Sequence, residues 1–232
     1  MTAGKGGRQM KPSTFQGIKL VLRKELMTGL RFRAAWAAML MFSFTSLVCI
    51  SFALGGTSAE PKLFAALLWI LLFFSSLAGS DRVFSDEEAE GTLMALRVYA
   101  PSQAVLFGKM LYEFFVLTVI TVLLLPLFIV FLGVETKEIL LLLCTVGAGL
   151  WGISAAGTLL SALIVGAGVR SGLFSVLMLP VILPVFLPAI RLTEAAFGGT
   201  VVSLSFFGGI VLYDMILSVA ASTLFDYLWY AE

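Results

Sequence analysis

The chain has no histidine and few charges: none of its 232 residues is His, and only 12% are Asp, Glu, Lys or Arg. The absence of histidine excludes Ser-His and Cys-His nucleophile pairs, histidine metal clusters and histidine ligation of haem. The phosphate-loop pattern G-x-x-x-x-G-K-[ST] is also missing, because Lys5 is followed by Gly6 and Lys109 by Met110. We therefore predict no enzymatic activity, no catalytic or metal-binding residues and no bound cofactor.

The chain also has few cysteines and a small net charge. The 2 cysteines, Cys49 and Cys144, fall in apolar segments and form no C-x-x-C pair, so neither a disulfide framework nor covalent haem attachment is expected. A net charge of +1 gives no large field for nucleic acid, and no nucleic-acid partner is predicted. The chain is instead 60% hydrophobic with a mean hydropathy of +1.05, which is typical of a protein in a lipid bilayer.

Uncharged stretches long enough to cross a bilayer recur along the chain, because a spanning helix needs roughly 20 apolar residues. We predict an all-α membrane protein with six transmembrane helices. The domain covers residues 34–225, followed by a tail at 226–232. The predicted spans are residues 34–56, 63–80, 108–132, 139–167, 172–190 and 201–225.

Lysine and arginine predict the orientation, because cytoplasmic segments of membrane proteins carry the excess of these residues. Residues 1–33 are rich in both, whereas the loops predicted on the other side hold only Lys62, Lys137 and Arg191. The N-terminus is therefore predicted to be cytoplasmic. An even number of spans brings the C-terminus to the same side.

Two segments lie outside the predicted spans at the N-terminus. Residues 1–11 are rich in glycine and charge and are predicted to be disordered. Residues 12–33 are predicted to form an amphipathic helix that lies on the cytoplasmic headgroups, with Lys19, Arg23 and Lys24 away from its apolar stripe. A face that packs on another protein stays open as the alternative. The stripe consists of Phe15, Ile18, Leu22, Leu26 and Leu30.

The loop at residues 81–107 is acidic on the side where basic residues are the rule. Apolar residues such as Phe84 are interspersed with the acids, and Gly91 can end one short helix before Thr92 begins another. We predict two short cytoplasmic helices with a docking face, and a merely solvated surface is the alternative. The acids are Asp81, Asp86, Glu87, Glu88 and Glu90.

Two acids and a row of prolines fall inside the predicted spans. Glu113 is near the start of the third span, where its side chain is expected to reach the interface. Asp214 is deeper, and a role in a substrate path or proton relay and a hydrogen bond in the bundle interior are both open. Each proline of the fifth span removes a backbone donor and bends the helix, as part of a transport path or as a purely architectural kink. These prolines are Pro180, Pro184 and Pro188.

Two stretches resemble the haem exporter protein B (CcmB) family: WILLFFSSLAGSDRVFSDEEAEGTL at residues 69–93 and RSGLFSVLMLPVILPVFLPA at residues 170–189. In the second stretch the basic loop and the Leu-Pro-x-x-x-Pro of the family are matched by Arg170, Leu179, Pro180 and Pro184. Met94 departs from the family, which often has an acid or polar residue there. The first stretch matches the family at Arg82, Phe84, Asp86, Glu87, Gly91, Thr92 and Leu93.

The resemblance implies the permease subunit of an ABC-type haem exporter in cytochrome c maturation, in the bacterial inner membrane. Its implied partners are a cytoplasmic ATPase (CcmA-like), which would bind ATP, a haem-handling membrane protein (CcmC-like) and a small membrane subunit (CcmD-like). A homodimer is also open. The loop at 81–107 would then be the coupling element, with Glu87 and Glu88 paired to basic residues of the ATPase. Haem would be handled by the complex without being held by this chain.

Two other functions stay open on the sequence. An ABC exporter permease for a lipid, a glycan or a drug would have the same layout. An ion-coupled carrier or a scaffold without an ATPase is the second, and Asp214 is the residue on which such a carrier would depend.

Overall fold

The computed structural model describes residues 13–31, 34–55, 59–167 and 172–230. The predicted disorder at residues 1–11 and the end of the predicted tail, 231–232, lie outside these ranges. Regular secondary structure within the described ranges is entirely helical. The helices are α1 (Thr14–Arg31), α2 (Ala34–Leu54), α3 (Pro61–Ser80), α4 (Arg82–Ala89), α5 (Leu93–Tyr99), α6 (Ser102–Leu132), α7 (Ile139–Gly166), α8 (Gly172–Gly198) and α9 (Ser205–Tyr230).

Six of these helices are long and apolar enough to cross a membrane, in agreement with the six predicted spans: α2, α3, α6, α7, α8 and α9. Several continue past the predicted ends, because the prediction stops a span at a charged residue and the fold accommodates that charge. α6 begins at Ser102 and buries Lys109. α8 continues to Gly198 and pairs Arg191 with Glu194 at 3.4 Å on its surface. Residues 226–230, predicted as tail, are the last turn and a half of α9.

Helix α7 lies at the centre of the bundle, where it packs against α3, α4, α6, α8 and α9. Its small residues permit this close packing. The indole of Trp69 on α3 covers Gly149 so closely that an added Cβ would lie 2.1 Å from the ring. Gly152 and Ala156 are buried as well. The small residues of this helix therefore contact neighbouring helices of the same chain.

Helix α1 packs along the first half of α6. An added Cβ at Gly17 would lie 2.7 Å from the Cβ of Ala104, and one at Gly108 would lie 2.7 Å from Val21. Both contacts use a face of α1 beside the predicted apolar stripe, and Phe15 in the stripe stays 66% exposed. The helix is thus attached to the bundle by one face. Within the stripe, Ile18, Leu22 and Leu26 are half-buried, and Phe15 and Leu30 are exposed.

The connecting segments gather at two ends of the bundle. At one end, called the α4–α5 end, the short helices meet the start of α6 and the end of α9, where Gln103 donates a hydrogen bond to Asp226 at 2.7 Å. At the opposite end, the segment after α6 meets the end of α8, where the backbone amide of Lys137 donates to the carbonyl of Ala196 at 3.0 Å. The predicted acidic loop therefore lies at the same end of the bundle as the start of α6 and the end of α9.

Candidate functional site

The acidic loop forms the two short helices predicted for it, α4 and α5. Gly91 follows the end of α4 with φ of +69°, a conformation that glycine adopts without strain. Thr92 occupies the position before α5, but its side chain makes no capping hydrogen bond; its backbone amide donates to the carbonyl of Glu87 at 3.0 Å. The turn therefore separates α4 from α5.

Phe84 anchors α4 to the bundle. Its side chain is 1% exposed, and its ring centroid lies 5.4 Å from that of Phe225 on α9. Its backbone amide donates to the hydroxyl of Ser161 on α7 at 3.1 Å. The ammonium of Lys109 on α6 lies 4.7 Å from the ring centroid, within reach of a cation–π interaction. One residue of the loop thus contacts three transmembrane helices.

Next to Phe84 lies a partly buried charge cluster made of Lys24, Glu25, Glu87 and Lys109. The Lys109 ammonium lies 3.0 Å from Glu25 Oε1 and 2.9 Å from Glu87 Oε2, and it donates to the carbonyl of Val83 at 2.5 Å. Lys24 pairs with Glu25 at 3.1 Å and donates a hydrogen bond to Glu87. The cluster is balanced, with as many ammonium groups as carboxylates, and it ties α1 and α4 to α6.

Lys109 is the central member of the charge cluster, because its side chain is 1% exposed. Removing an ammonium group from water is costly unless carboxylates and hydrogen bonds compensate it, and here both are supplied by other helices. Sequence reasoning missed this role, since a lysine at the start of an apolar span is normally a topological marker. Lys24 and Glu25 were missed as well, because neighbouring opposite charges on a basic helix look like solvated surface.

The pKa of Lys24 reflects the same balance. Burial lowers the pKa of this ammonium, but Glu25 and Glu87 together outweigh burial and raise it above its ordinary value of 10.5. A lysine with a raised pKa in the folded chain contributes stability that is fully present below the pKa of the unfolded chain. This stability is lost as the pH rises through the pKa of the folded chain. The contribution of Lys24 is therefore constant across the physiological pH range.

Other residues of α4 and α5 are exposed. Glu88 is exposed on α4. On α5 no residue is buried, and three large apolar side chains point away from the protein: Met94 at 69%, Val98 at 66% and Tyr99 at 65% exposure. We call Met94, Val98 and Tyr99 the α5 face. Such a group of apolar side chains at the polar end of a membrane protein is typical of a protein-binding surface.

The predicted coupling residues are thus divided between two sides of the loop. Phe84 and Glu87 face inward, where the bundle itself supplies contacts for both. Their predicted part in ATPase coupling stays a prediction. Leu93 is half-buried. Arg82, Asp86, Glu88, Gly91 and Thr92 are exposed. Of these, Arg82, Asp86 and Thr92 line a cleft between α1, α2, α3, α4 and α6.

Glu113 lies deep in the bundle, and the expectation that it reaches the interface is wrong. Its side chain is 5% exposed, it accepts a hydrogen bond from the Ser80 hydroxyl, and Thr158 donates to its Oε2 at 2.9 Å. Because α6 starts at Ser102, this carboxyl is about 16 Å along the helix axis. Glu113 and Lys109, one turn apart on α6, both line a cleft of about 440 Å³ between α1, α2, α3, α4 and α6.

Asp214 is buried between α7, α8 and α9, away from this cleft. Its side chain is 5% exposed, and its Oδ1 has no hydrogen-bond partner among the described residues. An added Cβ at Gly152 would lie 2.6 Å from that oxygen and 3.0 Å from the side chain of Val185. The interior hydrogen bond that was one explanation for this acid is therefore absent at Oδ1. Pro180, Pro184 and Pro188 lie within the continuous helix α8, which also carries the buried Val185.

Replacing Gly152 with alanine should destabilise the protein by about 1–3 kcal/mol, because the methyl group must displace the Asp214 carboxyl or Val185. Gly147 of the same helix is the matched control, since an added Cβ there would meet no atom within 4 Å. G147A should be neutral or stabilising by up to about 1 kcal/mol through helix propensity. Thermal unfolding in lipid nanodiscs compares the two, and equal stability of G152A and G147A would contradict the close contact.

No group of three or more His, Cys, Asp or Glu residues in the described ranges is arranged to hold a metal ion. The acids that sequence analysis singled out lie in three separate places: on the outside of α4, in the cleft and between α7 and α9. What the arrangement can do is mechanical: it links an exposed binding surface to the transmembrane helices through buried contacts.

Comparison with known proteins assigns the chain to a family. Residues 16–224 match the model of a protein family described as CcmB protein. The match begins in α1 and ends in α9, so it includes the charge cluster, the short helices and all six long apolar helices. A search of curated proteins gave no match.

Proposed function

The chain belongs to the CcmB family, and on this premise we propose that it is the subunit through which a separate ATPase drives haem delivery or release in cytochrome c maturation. Family membership and the six long apolar helices support a membrane subunit of a haem exporter. The coupling to an ATPase is our inference from the geometry of the loop. No phosphate-loop sequence is present, so the energy source has to be a partner, a CcmA-like ATPase.

The observation that carries this proposal is the division of the loop into two sides. Its outer side offers the α5 face and the exposed Glu88 to a partner. Its inner side is held by Phe84 and Glu87, whose contacts reach α1, α6, α7 and α9. A force applied by a partner on the outer side would therefore act on four helices at once. Buried ion pairs and a close-packed aromatic ring resist deformation, so the displacement is transmitted without being absorbed.

The α4–α5 end also supports a particular orientation of the chain in the membrane. We place the α4–α5 end in the cytoplasm of a bacterium, with the protein in the inner membrane, because the lysines and arginines of α1 lie at this end. α9 also ends here, which supports the prediction that both termini are cytoplasmic. With no histidine to ligate haem, this chain transmits the ATPase movement, and a CcmC-like partner, assisted by a small CcmD-like subunit, holds the haem.

Replacing Met94 and Val98 together with glutamate should abolish binding of the ATPase without unfolding the membrane domain. The two residues are one turn apart and exposed on the α5 face, and truncating an apolar anchor at an interface typically costs about 2 kcal/mol or more. We expect at least about a 30-fold loss of affinity. Co-purification of the co-expressed ATPase with this chain in detergent tests for binding. A titration of the ATPase against the chain in nanodiscs measures the affinity.

Val201 provides the matched control, because it is fully exposed at the opposite end of the bundle. V201E should leave ATPase binding unchanged. Charge reversal at Glu88 should weaken binding to a smaller extent, whereas reversal at Glu87 should reduce the amount of folded protein through the charge cluster. Full ATPase binding by the Met94 and Val98 variant would show that the coupling surface lies elsewhere.

The role in cytochrome c maturation is tested by inactivating the gene and staining membranes for haem. We expect covalently bound c-type haem to be lost while non-covalent b-type haem is retained. Only the covalent attachment of haem to cytochrome c depends on haem delivery to the maturation machinery. Re-expression of the wild-type chain should restore c-type haem. Unchanged c-type haem would instead favour an exporter of a lipid, a glycan or a drug.

A further inference from the structure

A pair of aromatic side chains marks the headgroup level of the membrane near the α4–α5 end. The indole of Trp36, near the start of α2, donates a hydrogen bond to the hydroxyl of Tyr112 on α6 at 3.3 Å. From Tyr112 to Leu132, where α6 ends, the helix rises about 30 Å, the thickness of the hydrocarbon core. Tryptophan and tyrosine favour the two interfaces of that core. The part of α6 before Tyr112 therefore lies at the level of the headgroups or beyond it.

The cleft of about 440 Å³ between α1, α2, α3, α4 and α6 crosses this level, because both aromatic residues line it. On the membrane side of the pair its walls include Met39, one turn further along α2, and Val116, one turn further along α6. On the other side its walls are the charge cluster and polar residues of α4. A pocket of this size with an apolar and a charged part suits the polar end of an amphiphilic molecule.

Three charges in the wall of the cleft are not used by the fold. Arg82, Asp86 and Glu90 follow one another at four-residue spacing, are exposed and line the cleft. Among the described residues, none of the three takes part in an ion pair. The charge cluster is balanced within itself, and Glu113 accepts hydrogen bonds from two hydroxyl groups. One guanidinium and two carboxylates therefore remain for a ligand, a set that suits a phosphate joined to an ammonium group.

We propose that this cleft binds the headgroup of an ethanolamine phospholipid, with the phosphate at Arg82 and the ammonium group at Asp86 and Glu90. An ammonium group has three N–H donors and can bond both carboxylates, whereas the trimethylated ammonium of choline has no donor. A glycerol headgroup leaves the lipid with a net negative charge, which the surplus carboxylate repels. The glycerol end of the lipid lies at the level of Trp36 and Tyr112, where the hydrocarbon core begins. This site is separate from the α5 face and does not depend on ATPase binding.

Lipid titration of the complete chain in detergent, followed by native mass spectrometry, tests this site. We expect phosphatidylethanolamine to bind about tenfold more tightly than phosphatidylcholine or phosphatidylglycerol with the same acyl chains, because only its ammonium group bonds the carboxylates. Thermal unfolding in nanodiscs of each lipid is the second readout, since a lipid that binds the folded chain raises its stability. Equal binding of the three lipids, or tighter binding of phosphatidylglycerol, would overturn the proposal.

Substitutions in the wall of the cleft locate the site. The double variant D86N with E90Q should lose the preference for phosphatidylethanolamine, because the ammonium group loses both carboxylates. E88Q is the matched control, since it removes a carboxylate from the same helix but Glu88 does not line the cleft. It should retain the tenfold preference. All three residues are exposed, so the substitutions should leave the fold intact. A preference that persists in the double variant, or that disappears in E88Q, would contradict the assignment.

A competition experiment identifies the source of the headgroup. Soluble glycerophosphoethanolamine carries the same phosphate and ammonium group without acyl chains. We expect it to displace the lipid only at a large excess, because it has no apolar part to remain in the detergent or bilayer beside the cleft. Displacement at concentrations equal to those of the lipid would show that the ligand is a soluble phosphate ester and would overturn the lipid site.

Discussion

Replacing Lys109 with methionine is expected to destabilise the protein by about 3–5 kcal/mol, the typical cost of removing one partner from a buried ion pair. The change leaves the carboxylates of Glu25 and Glu87 with the partly exposed Lys24 as their remaining cation. It also removes the donor to the carbonyl of Val83 and the cation over the ring of Phe84. The measurement is unfolding by heat or by denaturant in nanodiscs or mixed micelles.

Lys62 is the matched control for this change, since it is exposed at the start of α3. K62M should alter stability by less than about 0.5 kcal/mol. The double variant K109M with E87Q should recover part of the lost stability, because it removes the one carboxylate in excess of the remaining cation and leaves Lys24 opposite Glu25. Equal stability of K109M and K62M would show that the charge cluster does not hold α1 and α4 to α6.

Replacing Phe84 with alanine is the second change with a large expected effect, again about 3–5 kcal/mol, because it empties a fully buried aromatic site. Phe84 contacts α6, α7 and α9. Its removal should therefore alter the position of the loop as well as lower the packing density. Stimulation of the ATPase by the membrane subunit should fall together with stability. Phe84→Leu should retain more of both, since it keeps most of the apolar volume.

Tyr99 of the same loop gives the comparison, because it is an aromatic residue that is 65% exposed. Tyr99→Ala should leave stability within about 0.5 kcal/mol of wild type. It should still weaken ATPase binding, since Tyr99 belongs to the α5 face. The two aromatic residues thus separate anchoring of the loop from docking on it, and a stability loss in Tyr99→Ala as large as in Phe84→Ala would contradict that separation.

Much of the loop was predictable from local signals. Gly91 between two short amphipathic stretches predicts a break between helices, because glycine adopts the left-handed conformation without strain, and the break is there. Which side of α4 faces inward was not predictable. Glu87 and Glu88 are adjacent and chemically identical, but one is 7% exposed and the other is on the surface. Only the positions of Lys24 and Lys109, on helices distant in sequence, distinguish them.

The two acids of the long helices show the same limit in the membrane. Sequence position suggested an interfacial Glu113, because the prediction started its span just before Lys109. In the structure Lys109 is buried by carboxylates from α1 and α4, so α6 starts earlier and Glu113 lies deeper, between Ser80 and Thr158. For Asp214 the depth was predictable, but the absence of a partner at Oδ1 depends on where α7 and α8 place their side chains.

The sequence by itself determined the class of protein, the number of long apolar helices, the helical character of the acidic loop and the family. The first three follow from composition and from local periodicity, since a span in lipid must satisfy its backbone hydrogen bonds within itself. The family follows from the resemblance of residues 69–93 and 170–189. The tertiary structure alone decided which charges are buried together, which side of the loop is free for a partner, and which carboxyl lacks a donor. Pairing and burial depend on contacts between residues far apart in the chain, and such contacts leave no local pattern in a single sequence.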